Sequence, residues 1–237
     1  MEKGINEAIQ MLLKQFPVVH QECQRRSIGL DLKSLSVRAS KNLEIQIQED
    51  EGYNATPNSL IEIRLSPAEI YTAFALGTLR TWFNEDVMGW RYRHSGLDSE
   101  RAHSIGQLGE IIFEKILKEN NIPYMSAPAI VSSKSEFRQD IDVRGCKYGV
   151  KTASFKSFLN IFRYGGLYPA KIMPGESLRV LSYPDYLVQI GTNVHKKKGY
   201  FLGAISREQL MACGVVEKFG KPAHVIPLNK YEKLDFL

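Results

Sequence analysis

Cysteine is scarce in this chain. Three occur in 237 residues, Cys23, Cys146 and Cys213, odd in number and far apart. Such a set frames neither a disulfide scaffold nor a four-ligand zinc site, and it fits free thiols in a reducing compartment. Long apolar runs are also missing. No stretch approaches the roughly 20 residues that span a bilayer, and the first residues carry no signal-peptide apolar core. No low-complexity tract or internal repeat interrupts the sequence. These absences lead to the expectation of a cytoplasmic protein with no membrane partner. Excess charge is modest too: 31 Lys and Arg against 26 Asp and Glu give a formal +5, which accommodates a nucleic-acid partner without demanding one.

What is present is a globular composition, 43% hydrophobic and 24% charged. A chain of this length buries a sizeable interior, as one domain or as a core with an appendage. Ile5, Ile9, Leu12, Leu13 and Phe16 recur at helical spacing and predict a helix over 4–16. LEIQIQ at 43–48 and LIEIRL at 60–65 alternate apolar and polar residues, which predicts two half-buried strands. Ser66-Pro67 opens a helix to about Phe83, and 84–97 reads as a loop. From Ser99 a second long helix runs to about 119, with Leu108, Ile112, Phe113 and Ile116 facing a core and Asn120, Asn121 and Pro123 ending it. A hairpin at 139–152, strands near 158–163, 185–191, 199–205 and 222–227, and a short helix capped by Ser206 complete the pattern. The expected fold class is α/β: a mixed sheet of α+β character flanked by helices. Residues 1–98 read as an N-terminal extension, a partner or DNA-binding layer, and 99–237 as the core.

Chemistry concentrates in DIDVRGCKYGVKT at 140–152 and in GQLGEIIFEKIL at 106–117. Strand side chains alternate between faces, so Asp140 and Asp142 share one face, and after the glycine turn Gly149 and Lys151 share one face as well. Ile141, Val143, Tyr148 and Val150 form the apolar set, leaving Asp140, Asp142 and Lys151 directed to an opening. Glu110 stands on the helix just upstream, beside Gly109, whose lack of a side chain permits close packing of helix on sheet. Carboxylates hold Mg²⁺, which keeps several of its waters. The metal acidifies one of them and neutralises charge on a phosphate, and a lysine nearby stabilises the developing negative charge.

Glu110, Asp140 and Val150-Lys151, in this order on helix, strand and next strand, resemble the PD-(D/E)xK superfamily of nucleases, the restriction-endonuclease-like fold. The resemblance covers roughly 99–212, extends to the GYFLGAISREQL segment as in viral and mobile-element members, and leaves 1–98 unmatched. It implies a restriction-endonuclease-like core and hydrolysis of DNA phosphodiester bonds by a Mg²⁺-activated water, with Mn²⁺ substituting. It also implies the host-cell cytoplasm if the source is viral, and a homodimer, since two strands need two sites. Glu110 takes the place of the helical acid, Asp140 of the first strand acid and Lys151 of the lysine, while the backbone carbonyl of Val150 approaches the metal. The second strand carboxylate falls on Gly149. Either Asp142 supplies the missing oxygen, or the site is degenerate and the protein binds DNA without cutting it.

Each of these residues also has a plainer role. Asp140 and Asp142 suit an Asx turn, and Glu110 an exposed helix surface. Gln139 and Thr152 are weaker candidates for phosphate or water contacts, and His103 for catalysis. Basic and aromatic residues interleave directly after the hairpin, at Lys156, Arg163, Tyr164, Tyr168 and Lys171, as in a nucleic-acid groove. Lys196, Lys197 and Lys198 add a basic turn suited to phosphate contacts. A protein that uses 1–98 for assembly is the reading from a different class.

Overall fold

The computed structural model describes residues 1–53, 60–90, 99–133, 141–169, 184–218 and 221–234. Helix α1 (Glu2–Gln15) forms as the apolar spacing predicts, burying Ile5, Ile9, Leu12 and Leu13. Helix α2 (Val18–Arg26) ends at Ser27 in the left-handed region, φ 56°. Asp31 then starts α3 (Leu32–Glu51) by accepting a hydrogen bond from the Ser34 amide. This helix replaces the strand expected at 43–48. Its buried positions Leu35, Ala39, Leu43, Gln46 and Asp50 recur every three or four residues, and Ile45 and Ile47 are only half-buried. A six-residue alternation was too short to outweigh a twenty-residue helical stripe.

Strand β1 (Ile61–Arg64) is followed by α4 (Pro67–Trp82), which opens with a reciprocal capping box between Ser66 and Glu69. A wider π turn, Phe83–Val87, extends it. Helix α5 (Ser99–Glu119) has the limits read from its apolar periodicity. The remaining elements are β2 (Met125–Ser126), β3 (Ile141–Val143), β4 (Cys146–Ser154), α6 (Phe155–Tyr164), β5 (Gly166–Pro169), β6 (Tyr186–Asn193), β7 (Lys198–Ser206), α7 (Arg207–Met211), β8 (Val215–Lys218) and β9 (Lys221–Ile226). Helix α6 occupies the stretch expected to be a strand. Phe155, Phe158 and Phe162 stand three and four residues apart, a helical rather than an alternating spacing.

Six strands form one mixed sheet in the order β1-β7-β6-β4-β3-β2. Every neighbouring pair in it is antiparallel except β4 and β6, which run parallel with α6 in the connection between them. A second sheet has the order β5-β9-β8. This is the mixed α/β sheet with flanking helices that the sequence predicts. The division at 98/99 does not separate two cores. One apolar cluster runs from Ile5 and Leu43 through Phe74 and Phe113 to Val188 and Phe201, and β1 is an edge strand of the main sheet. Among the described residues no helix is long and apolar enough to cross a membrane.

Helix α5 lies on one face of β4. Phe113 on the helix meets Tyr148 with ring centroids 5.5 Å apart. A methyl group at Gly109 would sit 1.7 Å from Thr152 Oγ1 and 2.8 Å from its Cβ, so the helix–strand spacing depends on glycine. Gly109→Ala is therefore expected to lower stability by about 1–3 kcal/mol through overpacking, read as a drop in urea midpoint. An unchanged midpoint would mean that α5 lifts from β4 without penalty. The other face of the main sheet carries α6, whose Phe158 ring fills the space above Gly191. It also carries the small sheet, where Tyr168 and Ile226 pack with Leu187 and Ile205.

Candidate functional site

The β3–β4 hairpin is closed by two residues, Arg144 (φ 52°) and Gly145 (φ 85°). Positive φ at both is the geometry of the turns that match strand twist. Asp142 Oδ1 accepts a hydrogen bond of 2.9 Å from the Gly145 amide and secures the turn. The ladder is thereby fixed as Ile141↔Tyr148, Asp142↔Lys147 and Val143↔Cys146. Ile141, Val143, Tyr148 and Val150 belong to the main core on the α5 side. Asp142, Lys147, Gly149 and Lys151 consequently share the opposite face, as the alternation predicts.

Lys151 emerges on that face between α6 and the small sheet. Its side chain is exposed, and Nζ lies 5.4 Å from the centroid of the Tyr168 ring. Across the parallel ladder its partner is Gln189, a buried side chain whose Nε2 donates to the Lys151 carbonyl at 3.1 Å and to the Ile190 carbonyl at 3.3 Å. These bonds steady the segment at the point where β6 and β7 slip in register, between Gln189 and Ile190. Gly149 is buried beside it and offers no ligand.

The structure does not bring the expected carboxylates together with this lysine. Asp140 lies outside the described residues. Asp142 sits opposite Lys147, four residues along β4 from Lys151, which at about 3.3 Å per residue is roughly 13 Å, and one of its oxygens is held by the turn. Glu110 is carried by α5, on the other face of β4 from Lys151. Its Oε1 accepts from Gln107 Nε2 at 3.0 Å. Among the described residues no three His, Cys, Asp or Glu side chains converge to hold a metal ion.

Glu110 belongs to a polar stripe that individual motifs did not reveal. Glu100, His103, Gln107, Glu110 and Glu114 recur at spacings of three and four along α5, so they share a side of the helix. Glu100 accepts from Arg38, from Asn42 Nδ2 at 2.6 Å and from Thr78 Oγ1 at 3.4 Å. Thr81 Oγ1 lies 2.8 Å from the Gly77 carbonyl, to which it donates, and 2.6 Å from His103 Nδ1. Glu114 accepts from Tyr124 and Ser126. The recurrence of polar residues at spacings of three and four along this amphipathic helix was the sequence signal for the stripe. Gln107 and Gln189 each bond directly to a candidate residue, and neither is distinguished by a motif.

The candidate nucleic-acid contacts divide into two groups. Lys156, Arg163 and Tyr164 are exposed on α6, the helix that flanks Lys151. Lys171 lies outside the described residues. The lysine turn stands apart. It begins beyond Asn193, four residues up β6 from Gln189, or about 13 Å. Within it Lys197 is exposed at φ 54°, Lys196 is half-buried, and Lys198 Nζ is paired with Glu62 at 2.7 Å. Thr152, a weaker candidate, points its hydroxyl at Gly109, and Gln139 lies outside the described residues. No protein-family model, curated protein or solved structure matches the chain.

Proposed function

We propose that this protein is a divalent-metal-dependent nuclease that hydrolyses DNA phosphodiester bonds, on a restriction-endonuclease-like core. The observation that carries the reading is an exposed lysine on a strand face flanked by a basic, aromatic helix. Around it, an acid-bearing helix, a short strand directly preceded by Asp140 and a lysine-bearing strand follow one another in the order the resemblance calls for and pack against one another. In this reading Asp140 and the Val150 carbonyl hold Mg²⁺ or Mn²⁺, while Glu110, on the other face of β4, stays outside the metal's shell. Lys151 stabilises the charge that builds on the scissile phosphate. Lys156, Arg163 and Tyr164 hold the backbone of the DNA through contacts that carry little sequence information.

One observation favours a second reading, DNA binding without cleavage. Gly149 supplies no carboxylate, and Asp142, the residue best suited to replace it, is engaged in the hairpin turn at a distance. Incubation of the full chain with supercoiled and linear DNA separates the two. The nuclease reading expects nicked and linear products with Mg²⁺ or Mn²⁺ and none with EDTA. Retarded bands without cleavage under every metal would support the binder instead.

A further inference from the structure

We infer that Asp50 is a proton-operated clasp that ties the end of α3 to the β6–β7 turn and to the start of α6, and that loosens as the surroundings turn from acidic to neutral. The residue lies at the C-terminal end of α3 and is 1% exposed. Its Oδ2 accepts from the Val194 amide at 2.6 Å, at the entrance to the β6–β7 turn, and its Oδ1 from Gln46 Nε2 at 3.0 Å. A third bond comes from the Phe155 amide, the first of α6. One carboxylate thus fastens three elements that are distant in sequence. Among the described residues it has no ion-pair partner.

A buried acceptor beside it suits a carboxyl that carries a proton: Gln46 Oε1, one helical turn back, has no hydrogen-bond partner. An ionised Asp50 only accepts, whereas a protonated one also donates. A half-turn of the Gln46 amide presents the unpartnered Oε1 to that proton. The charged groups around it add no compensating cation. Glu49 on the same helix raises the Asp50 pKa further, and Tyr200 feels both Asp50 and Glu62. Glu62 on β1 is itself bound to Lys198. Lys156 on α6 and His195 and Lys197 in the turn are exposed to solvent.

Burial therefore outweighs the three donors and moves Asp50 from the ordinary 3.8 up to about 6. A group whose folded pKa is raised favours the closed state while protonated and loses that contribution as pH rises through the folded value. Opening of the clasp should become roughly a hundredfold more frequent between pH 4 and pH 7, the factor set by about two pH units separating 3.8 from about 6. Glu22 and Glu69, whose carboxyls are held low, act in the opposite direction. They are common to wild type and to an Asp50 variant, so the difference between the two isolates Asp50.

The experiment is hydrogen exchange of the Val194 and Phe155 amides in the full chain from pH 4 to pH 7.5, corrected for intrinsic exchange, in wild type and in Asp50→Asn. Relative to Asp50→Asn, wild type should lose about a hundredfold of protection on this rise. A wild-type-to-variant ratio that stays constant or grows with pH overturns the clasp. Should Asp50→Asn fail to fold, the carbon-13 shift of the Asp50 carboxyl in wild type decides: a midpoint near 6 supports the clasp, and one at or below 4 refutes it. None of this depends on the nuclease reading.

Discussion

Lys151→Ala should reduce metal-dependent DNA cleavage at least ~100-fold while leaving the unfolding free energy within about 1 kcal/mol of wild type. The two expectations have separate physical sources. The side chain is exposed, and its one described contact is the cation–π approach to Tyr168 at 5.4 Å, so little folding energy depends on it. The loss of cleavage arises because no other described side chain puts a positive charge at this point of the strand face. Lys151→Arg should recover only part of the rate, since a planar, larger guanidinium does not replace a compact point charge. Cleavage by Lys151→Ala at the wild-type rate would reduce the lysine to an ordinary solvated residue. A large fall in unfolding free energy would instead assign it a structural role.

The largest effect on stability is expected at Glu100. This carboxylate is 6% exposed and receives Arg38, Asn42 and Thr78 from α3 and α4. Glu100→Ala leaves those donors facing an empty space. Arg38, whose side chain is 40% exposed, turns back to water, so the penalty falls mainly on the buried amide of Asn42 and the hydroxyl of Thr78. A loss of about 2–4 kcal/mol follows. Glu100→Gln retains an acceptor and should lose only about 1–2 kcal/mol. Urea unfolding measures both. A Glu100→Ala protein within about 0.5 kcal/mol of wild type would show that the helices close over the site without the carboxylate.

Much of the fold was legible because its long elements carry a strong period. Twenty-one residues of amphipathic repetition gave α5 its limits, and the cap residues Ser66 and Ser206 marked the starts of α4 and α7. Short apolar runs misled. LEIQIQ and the segment around Phe158 each fit either period over six residues, and the decision came from packing partners far away in sequence. Helix α2 and strands β2, β5 and β8 are too short or too polar to stand out, and they form because neighbouring segments supply a surface.

The site was legible in part for the same reason. Alternation along β4 correctly put Lys151 and Asp142 on one face. It could not give their separation, which depends on the ladder register fixed by Arg144, Gly145 and the Asp142 side chain. The missing side chain at Gly109 predicted the close approach of helix and strand. Helical periodicity does not tell which face of the sheet the helix will cover, and α5 covers the face that Lys151 leaves.

The proposed nuclease chemistry needs a divalent cation beside Lys151, held by Asp140 and the Val150 carbonyl. A crystal of the full chain soaked in Mn²⁺ tests it directly. An anomalous peak is expected within coordination distance of Asp140 and the Val150 carbonyl, on the Lys151 side of the hairpin. An occupied Mn²⁺ site elsewhere, with no anomalous density at this hairpin, would contradict it.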